Sequence, residues 1–307
     1  MKTFYYFLFA LCVPIGGLCV PDDRVLLAAE SKPDWAQENS IPHWKHDMAI
    51  GFVPPKRRWI SNDHFDYGEG AFNYDWYNST EHIQGMWLRQ VVFVKGKEPR
   101  ADGYHIVIDT VEPADKQPRT WRHPWQLGLN ALNIAIRESD RSTTAIARGV
   151  ALQILPVGEM SVSIVQGQEQ PELLGWRIYD TIANPWPVPT YQWQDDGTFC
   201  RAWVIQMSAD ESAWPVESVS LHPTNQAGEI HFTVHRRDGG HDHVLRRFPG
   251  QPPTEFQGET ITGDLVVDCI DSTDQHFRLE IIDGEESVAK PSHLVNAAQT
   301  KASSDSQ

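Results

Sequence analysis

Between Arg89 and Leu127 three short apolar runs alternate with two polar turns, a spacing that strands satisfy and helices do not. Arg89 to Lys95 is apolar and β-branched, Gly96 to Asp102 carries turn residues, and Tyr104 to Val111 is a second run that contains Asp109. After a second turn from Glu112 to Pro118, Thr120 to Leu127 supplies a third strand. Its period of two places Trp121, His123 and Trp125 on one face. Consecutive strands with short turns predict an antiparallel meander.

The same alternation extends in both directions. Upstream, Phe65 and Tyr67 alternate with Asp66, Gly68-Glu69-Gly70 interrupts, and Phe72 to Tyr77 resumes with aromatics. Downstream, Thr143 to Leu155 and Met160 to Gln166 are predicted to pair, split by Pro156 to Glu159. Gln168 to Pro189 reads as a long connection shaping a rim at the end of the sheets. Further strands are predicted at Cys200 to Met207, Val216 to Leu221, Glu229 to His235, His243 to Phe248, Ile261 to Ile270 and His276 to Ile282. In Glu229 to His235, Ile230, Phe232 and Val234 face one way, and His231, Thr233 and His235 the other. The fold expected is all-β: a large antiparallel β-sandwich of about twelve strands over residues 59–284, with Gly and Pro turns throughout.

Residues 1–20 have one Lys followed by an apolar run, the pattern of an export leader, so the chain is expected to be secreted or periplasmic. The run is broken by Pro14 and Gly16-Gly17 and is short for a membrane span. Cleavage is placed near Cys19 or Val20, or later at Ala28 or Ala29. Residues 21–58 read as an irregular lead-in, and residues 285–307 as a disordered tail. Without the leader, Cys200 and Cys269 remain, either as one disulfide or as two buried thiols. Asn78-Ser79-Thr80 is a glycosylation sequon. A formal net charge of −15 excludes nucleic acid as the natural partner, because phosphate recognition needs a basic footprint. Hydrolase, kinase and dehydrogenase motifs are absent.

The order R-x-V-x-F-V, polar turn, Y-x-x-V-I-D, acidic turn, H-x-W-Q-L across Arg89 to Leu127 resembles the meander in the C-terminal β-sandwich of the heparinase II/III-like polysaccharide lyases. Arg58 to Tyr77 (RWISNDHFDYGEGAFNYDWY) is similar to that family's F-D-Y-x-E-G strand. Val162 to Gly167, Gly175-Trp176 and the Pro187 to Tyr191 run fall where the family has comparable features. The resemblance implies the sandwich part of an enzyme that cleaves acidic, uronate-containing polysaccharide by β-elimination. Part of the catalytic set in such enzymes sits on an α/α toroid, for which the residues before Trp59 are too few; a separately encoded toroid is the partner implied. A stand-alone carbohydrate-binding or structural module is the alternative.

The resemblance also implies a divalent metal, held by an H-x-H strand, a D-x-G turn and an H-N segment. None of these motifs precedes Phe65; the zone reads SIPHWKHDM, and neither His43 nor His46 matches. No catalytic residue and no metal ligand is therefore assigned. His241 and His243 form an H-x-H pair with His235 on the adjoining strand, but the Gly-rich surroundings read as an exposed hairpin loop. His123 reads as structural. An acidic ligand needs a cationic groove, and Lys56-Arg57-Arg58, Arg236-Arg237 and Arg246-Arg247 are the candidates, each also readable as a solvated strand end. Flat indole rings match the apolar face of a pyranose, and Trp121, Trp125, Trp186 and Trp193 are the residues expected to bind sugar, while most of the 12 Trp fill the core.

Overall fold

A computed structural model describes residues 3–5, 58–77, 82–96, 103–127, 133–147, 149–169, 174–179, 182–209, 213–224, 228–248, 251–282 and 290–291. The rest of the leader, most of the lead-in with His43 and His46, Lys56 and Arg57, the sequon at Asn78, and the tail apart from Lys290 and Pro291 lie outside the described residues. Among the described residues the chain is all-β, and no helix is long and apolar enough to cross a membrane. The arrangement is sandwich-like, as expected, with more strands among the described residues than the dozen predicted and with packed sheets on both sides of a central one.

The middle layer is an eight-stranded sheet in the order Arg58–Ser61, Phe65–Tyr77, His82–Val94, Tyr104–Pro113, Phe199–Ser208, Val150–Val157, Thr143–Ala147, Asn133–Ile136. Both faces of its central strands are covered, which explains why those strands read as near-continuous apolar runs. On Tyr104–Pro113, Tyr104, Ile106 and Ile108 enter one core while Val107 and Val111 enter the other. The first core lies against a six-stranded sheet ordered Val216–His222, Ile230–Arg236, His241–Arg246, Leu265–Ile270, His276–Ile281, Lys290–Pro291. There Phe232, Val234, Val244, Leu265 and Val267 meet Val92, Ile106, Ala202 and Val204, all fully buried. The second core lies under a four-stranded sheet ordered Thr3–Tyr5, Arg119–Pro124, Val188–Asp195, Ser161–Val165.

The predicted meander is half right. Arg89–Val94 and Tyr104–Val111 are antiparallel neighbours, with Arg89 opposite Asp109. Arg119–Pro124 then leaves the sheet and pairs with Val188–Asp195 in the four-stranded layer, because Phe199–Ser208 takes the position beside Tyr104–Pro113. The apolar effect decides this path. A side-by-side third strand would leave Trp87, Val91, Val107 and Trp203 uncovered, whereas the crossover roofs them with Trp121 and Trp125, and each large apolar side chain buried contributes roughly 1.5–3 kcal/mol.

The pairing predicted between Thr143–Leu155 and Met160–Gln166 is likewise replaced. Thr143–Ala147 and Val150–Val157 form a hairpin, and Ser161–Val165 joins Val188–Asp195. The long connection is not irregular throughout: it holds the hairpin of Trp176–Tyr179 with Ile182–Pro185. Cys200 and Cys269 are both free and buried.

Candidate functional site

One polar residue from each of the three runs of the 89–127 stretch, Arg89, Asp109 and His123, enters the Trp-lined core. Arg89 donates to both oxygens of Asp109, at 2.7 and 2.6 Å, a bidentate pair made directly across the two strands. His123, on the overlying layer, completes the cluster: its Nε2 is 3.4 Å from the Arg89 guanidinium and its Nδ1 is 3.5 Å from Asp109. Removing two charges from water costs several kcal/mol each. Bidentate geometry offsets that cost here, as do the π faces of Trp87 and Trp125, 4.9 and 5.7 Å from the guanidinium carbon. Burial, and then the neighbouring Arg89, hold His123 well below its ordinary pKa, so it is neutral. The cluster is closed to solvent and does not expose a reactive group.

A different set of polar residues lines the outer face of the six-stranded sheet. Strand alternation turns His231, Thr233 and His235 outward from Ile230–Arg236, as the sequence predicts, and His241 and His243 lie on the same face of the next strand. The preceding strand reaches this face through a bulge. Val216 pairs with Arg236, but Ser218 pairs with His235, leaving Glu217 as the extra residue. The bulge reverses the side-chain phase, so Val216 enters the core while Ser218, Ser220 and His222 face outward. His222 thereby stands directly opposite His231.

His222, His231 and His243 are all half-buried, and one side-chain nitrogen from each lies within 4.8 Å of the others. Thr233 sits between two of them: its hydroxyl is 2.7 Å from His222 Nε2 and 2.9 Å from His243 Nδ1. Phe256, from the hairpin Thr254–Phe256 with Glu259–Ile261, closes one side, its ring 5.2 Å from His231. That hairpin is anchored by Phe256 and Ile261 against Leu245 and Val266. Burial, then the imidazoles of His222 and His243, lower the pKa of His231 to about 4. Burial, then His241, lower that of His243, while Asp268 opposes the shift. Asp268 is opposite His243 in register, fully buried, and paired with Arg278 at 2.8 Å.

The structure separates the sequence candidates. His243 belongs to the cluster. His241 packs edge-on against it at 5.0 Å, and His235 bonds Ser220 at 3.0 Å instead. The pair therefore lies on a strand and not in the exposed loop expected, because the turn is confined to residues before Gly240. Trp121, Trp125 and Trp193 are core residues; Trp186 alone of the four is half-buried, with the Arg177 guanidinium 4.8 Å from its ring. Arg246 and Arg247 are buried rather than solvated. Arg246 donates to the Asp264 carbonyl at 3.1 Å and Arg247 to that of Ile261 at 3.3 Å, which ties the hairpin to the sheet. Arg236 bonds the Ile270 carbonyl at 2.8 Å and lies 3.7 Å from the buried Asp242 carboxylate, which also accepts from Tyr104.

No protein-family model matches the chain, and no curated protein matches it. Among solved structures, heparan sulfate lyase HepC from Pedobacter heparinus is similar over 62% of this chain, with a TM-score of 0.44 and 15% sequence identity. A mutant of the same lyase gives a TM-score of 0.43 and 14% identity over the same share. The chain spans 27% of the length of that lyase, so the likeness is to a part of it.

Proposed function

We propose that this chain is the sandwich part of a heparinase II/III-like polysaccharide lyase, binding acidic, uronate-containing polysaccharide as one wall of a cleft whose elimination chemistry is completed elsewhere. The observation that carries this reading is the convergence of Arg89, Asp109 and His123. These are the Arg, Asp and His of the motif order that resembles the family, and they close into one buried cluster. A coincidence of strand composition has no reason to bring them together. β-Elimination needs a base at the proton alpha to the carboxylate and a group that stabilises the developing charge. The cluster supplies neither, because it is sealed from ligand. Tyr67, Tyr104 and Tyr191 are also fully buried.

A stand-alone carbohydrate-binding module is the second reading, favoured by the half-buried Trp186 with Arg177 over its ring, an arrangement suited to stacking on a sugar. Affinity electrophoresis of the full chain through gels containing a uronate-rich polysaccharide or a neutral glucan tests the two. Retardation by the uronate polymer alone supports the lyase wall. Retardation by neutral glucan that is lost in Trp186→Ala supports the module, and free migration in both gels overturns both.

A further inference from the structure

We propose that His222, His231 and His243 form a binding site for a divalent transition-metal ion of the zinc class on the outer face of the six-stranded sheet. This site is not where the family resemblance places a metal. The resemblance puts its ligands before Phe65, and here they come from three later strands, Val216–His222, Ile230–Arg236 and His241–Arg246.

Three features carry the inference. First, imidazole is the ligand that borderline metals select, and tetrahedral bonds of about 2.0–2.1 Å set ligand nitrogens roughly 3.3 Å apart. The three nitrogens already lie within 4.8 Å of one another, so small side-chain rotations close the site. Second, His231 Nε2 is buried and has no hydrogen-bond partner. An orphaned buried ring nitrogen is costly, and metal coordination is an interaction that would satisfy it. Third, the supporting groups needed to fix imidazole rings are present. The Thr233 hydroxyl contacts one nitrogen of His222 and one of His243 and so fixes both rings beside His231. Phe256 provides an apolar wall beside His231.

The frame is also suitable. All three ligands project from paired strands, which hold side chains more closely than loops do, and the bulge at Glu217 places His222 on the ligand face. Three protein ligands leave a fourth position for solvent or a ligand oxygen.

Equilibrium dialysis of the full chain against Zn2+, with the visible absorbance of a Co2+ complex as a second readout, tests the site. The expected result is one ion per chain and a tetrahedral Co2+ spectrum. His231→Ala and His243→Ala should each weaken binding by at least about tenfold, with His276→Gln unchanged. His222→Gln, on the outermost of the three strands, is the variant that keeps the test valid should either inner substitution prevent folding. Absence of stoichiometric binding by the folded chain, or unchanged affinity in His222→Gln and His243→Ala, would overturn the proposal. The readout is metal content, so its outcome is independent of any polysaccharide binding.

Discussion

Arg89 and Asp109 face each other across adjacent strands of the central sheet and form a bidentate ion pair in an apolar core that holds Trp87, Trp121, Trp125, Trp193 and Trp203. Such a pair is weak evidence for stability, since well-packed apolar replacements are often neutral or better, yet removing one partner is severe. Asp109→Leu and Arg89→Met are each expected to cost about 3–5 kcal/mol in denaturant unfolding. The double variant Arg89→Met with Asp109→Leu should lose much less than the sum, because no charge is left stranded. Additive losses would show that the two residues do not act as a pair.

The thiols report on the other core. Cys200 lies beside Thr110 and the Gly228 carbonyl, and Cys269 beside Asp242; burial raises the pKa of both, that of Cys269 strongly. Neither should react with a disulfide reagent in the native chain, while both react after unfolding in denaturant. Prompt reaction of either thiol in native protein would contradict the packing.

Acid should weaken the fold through its neutral histidines. Burial lowers the pKa of His105 and of His231 to about 4, from an ordinary value of 6.5. The unfolded chain therefore binds protons first, and stability is fully present above pH 6.5 and is lost as pH falls toward 4. The slope reaches at most about 1.4 kcal/mol per pH unit for each such group, and less for the half-exposed His231. His105→Phe, which keeps the ring against Phe93, should flatten that dependence in thermal melts recorded across the window.

Two glycines with similar backbone angles should respond differently to Ala. Gly149 has φ 77° with nothing near the position of a Cβ, so only left-handed strain is incurred, about 1 kcal/mol. Gly175 has φ 74° and a Cβ there would stand 2.6 Å from the Val165 carbonyl oxygen, while its own carbonyl accepts from Gly167 and Trp186. Gly175→Ala should cost clearly more, about 2–4 kcal/mol, measured as a larger drop in denaturation midpoint.

Period-two alternation revealed the all-β class, the extent of most strands, and the outward face of His231, Thr233 and His235. It did not reveal which strands pair, because pairing is decided by what covers the exposed apolar face: Arg119–Pro124 roofs the Trp core instead of extending the sheet. Arg246 and Arg247 looked like a solvated basic pair, since charge is visible in sequence and the carbonyl oxygens that accept from them are not. The histidine triad was hidden for the same reason. His241 and His243 have a recognisable spacing, but His222 joins His243 only through cross-strand register and a bulge at Glu217, and neither leaves a local pattern.

The most direct measurement is the ultraviolet absorbance of the unsaturated uronate that β-elimination creates, followed while the full chain is incubated with a panel of acidic polysaccharides. The sealed Arg89–Asp109–His123 cluster predicts a flat trace, as the proposed role of a non-cleaving wall requires. A rise in absorbance that disappears on replacing His241, His243 or His123 would contradict the account by showing that these sheets catalyse elimination by themselves.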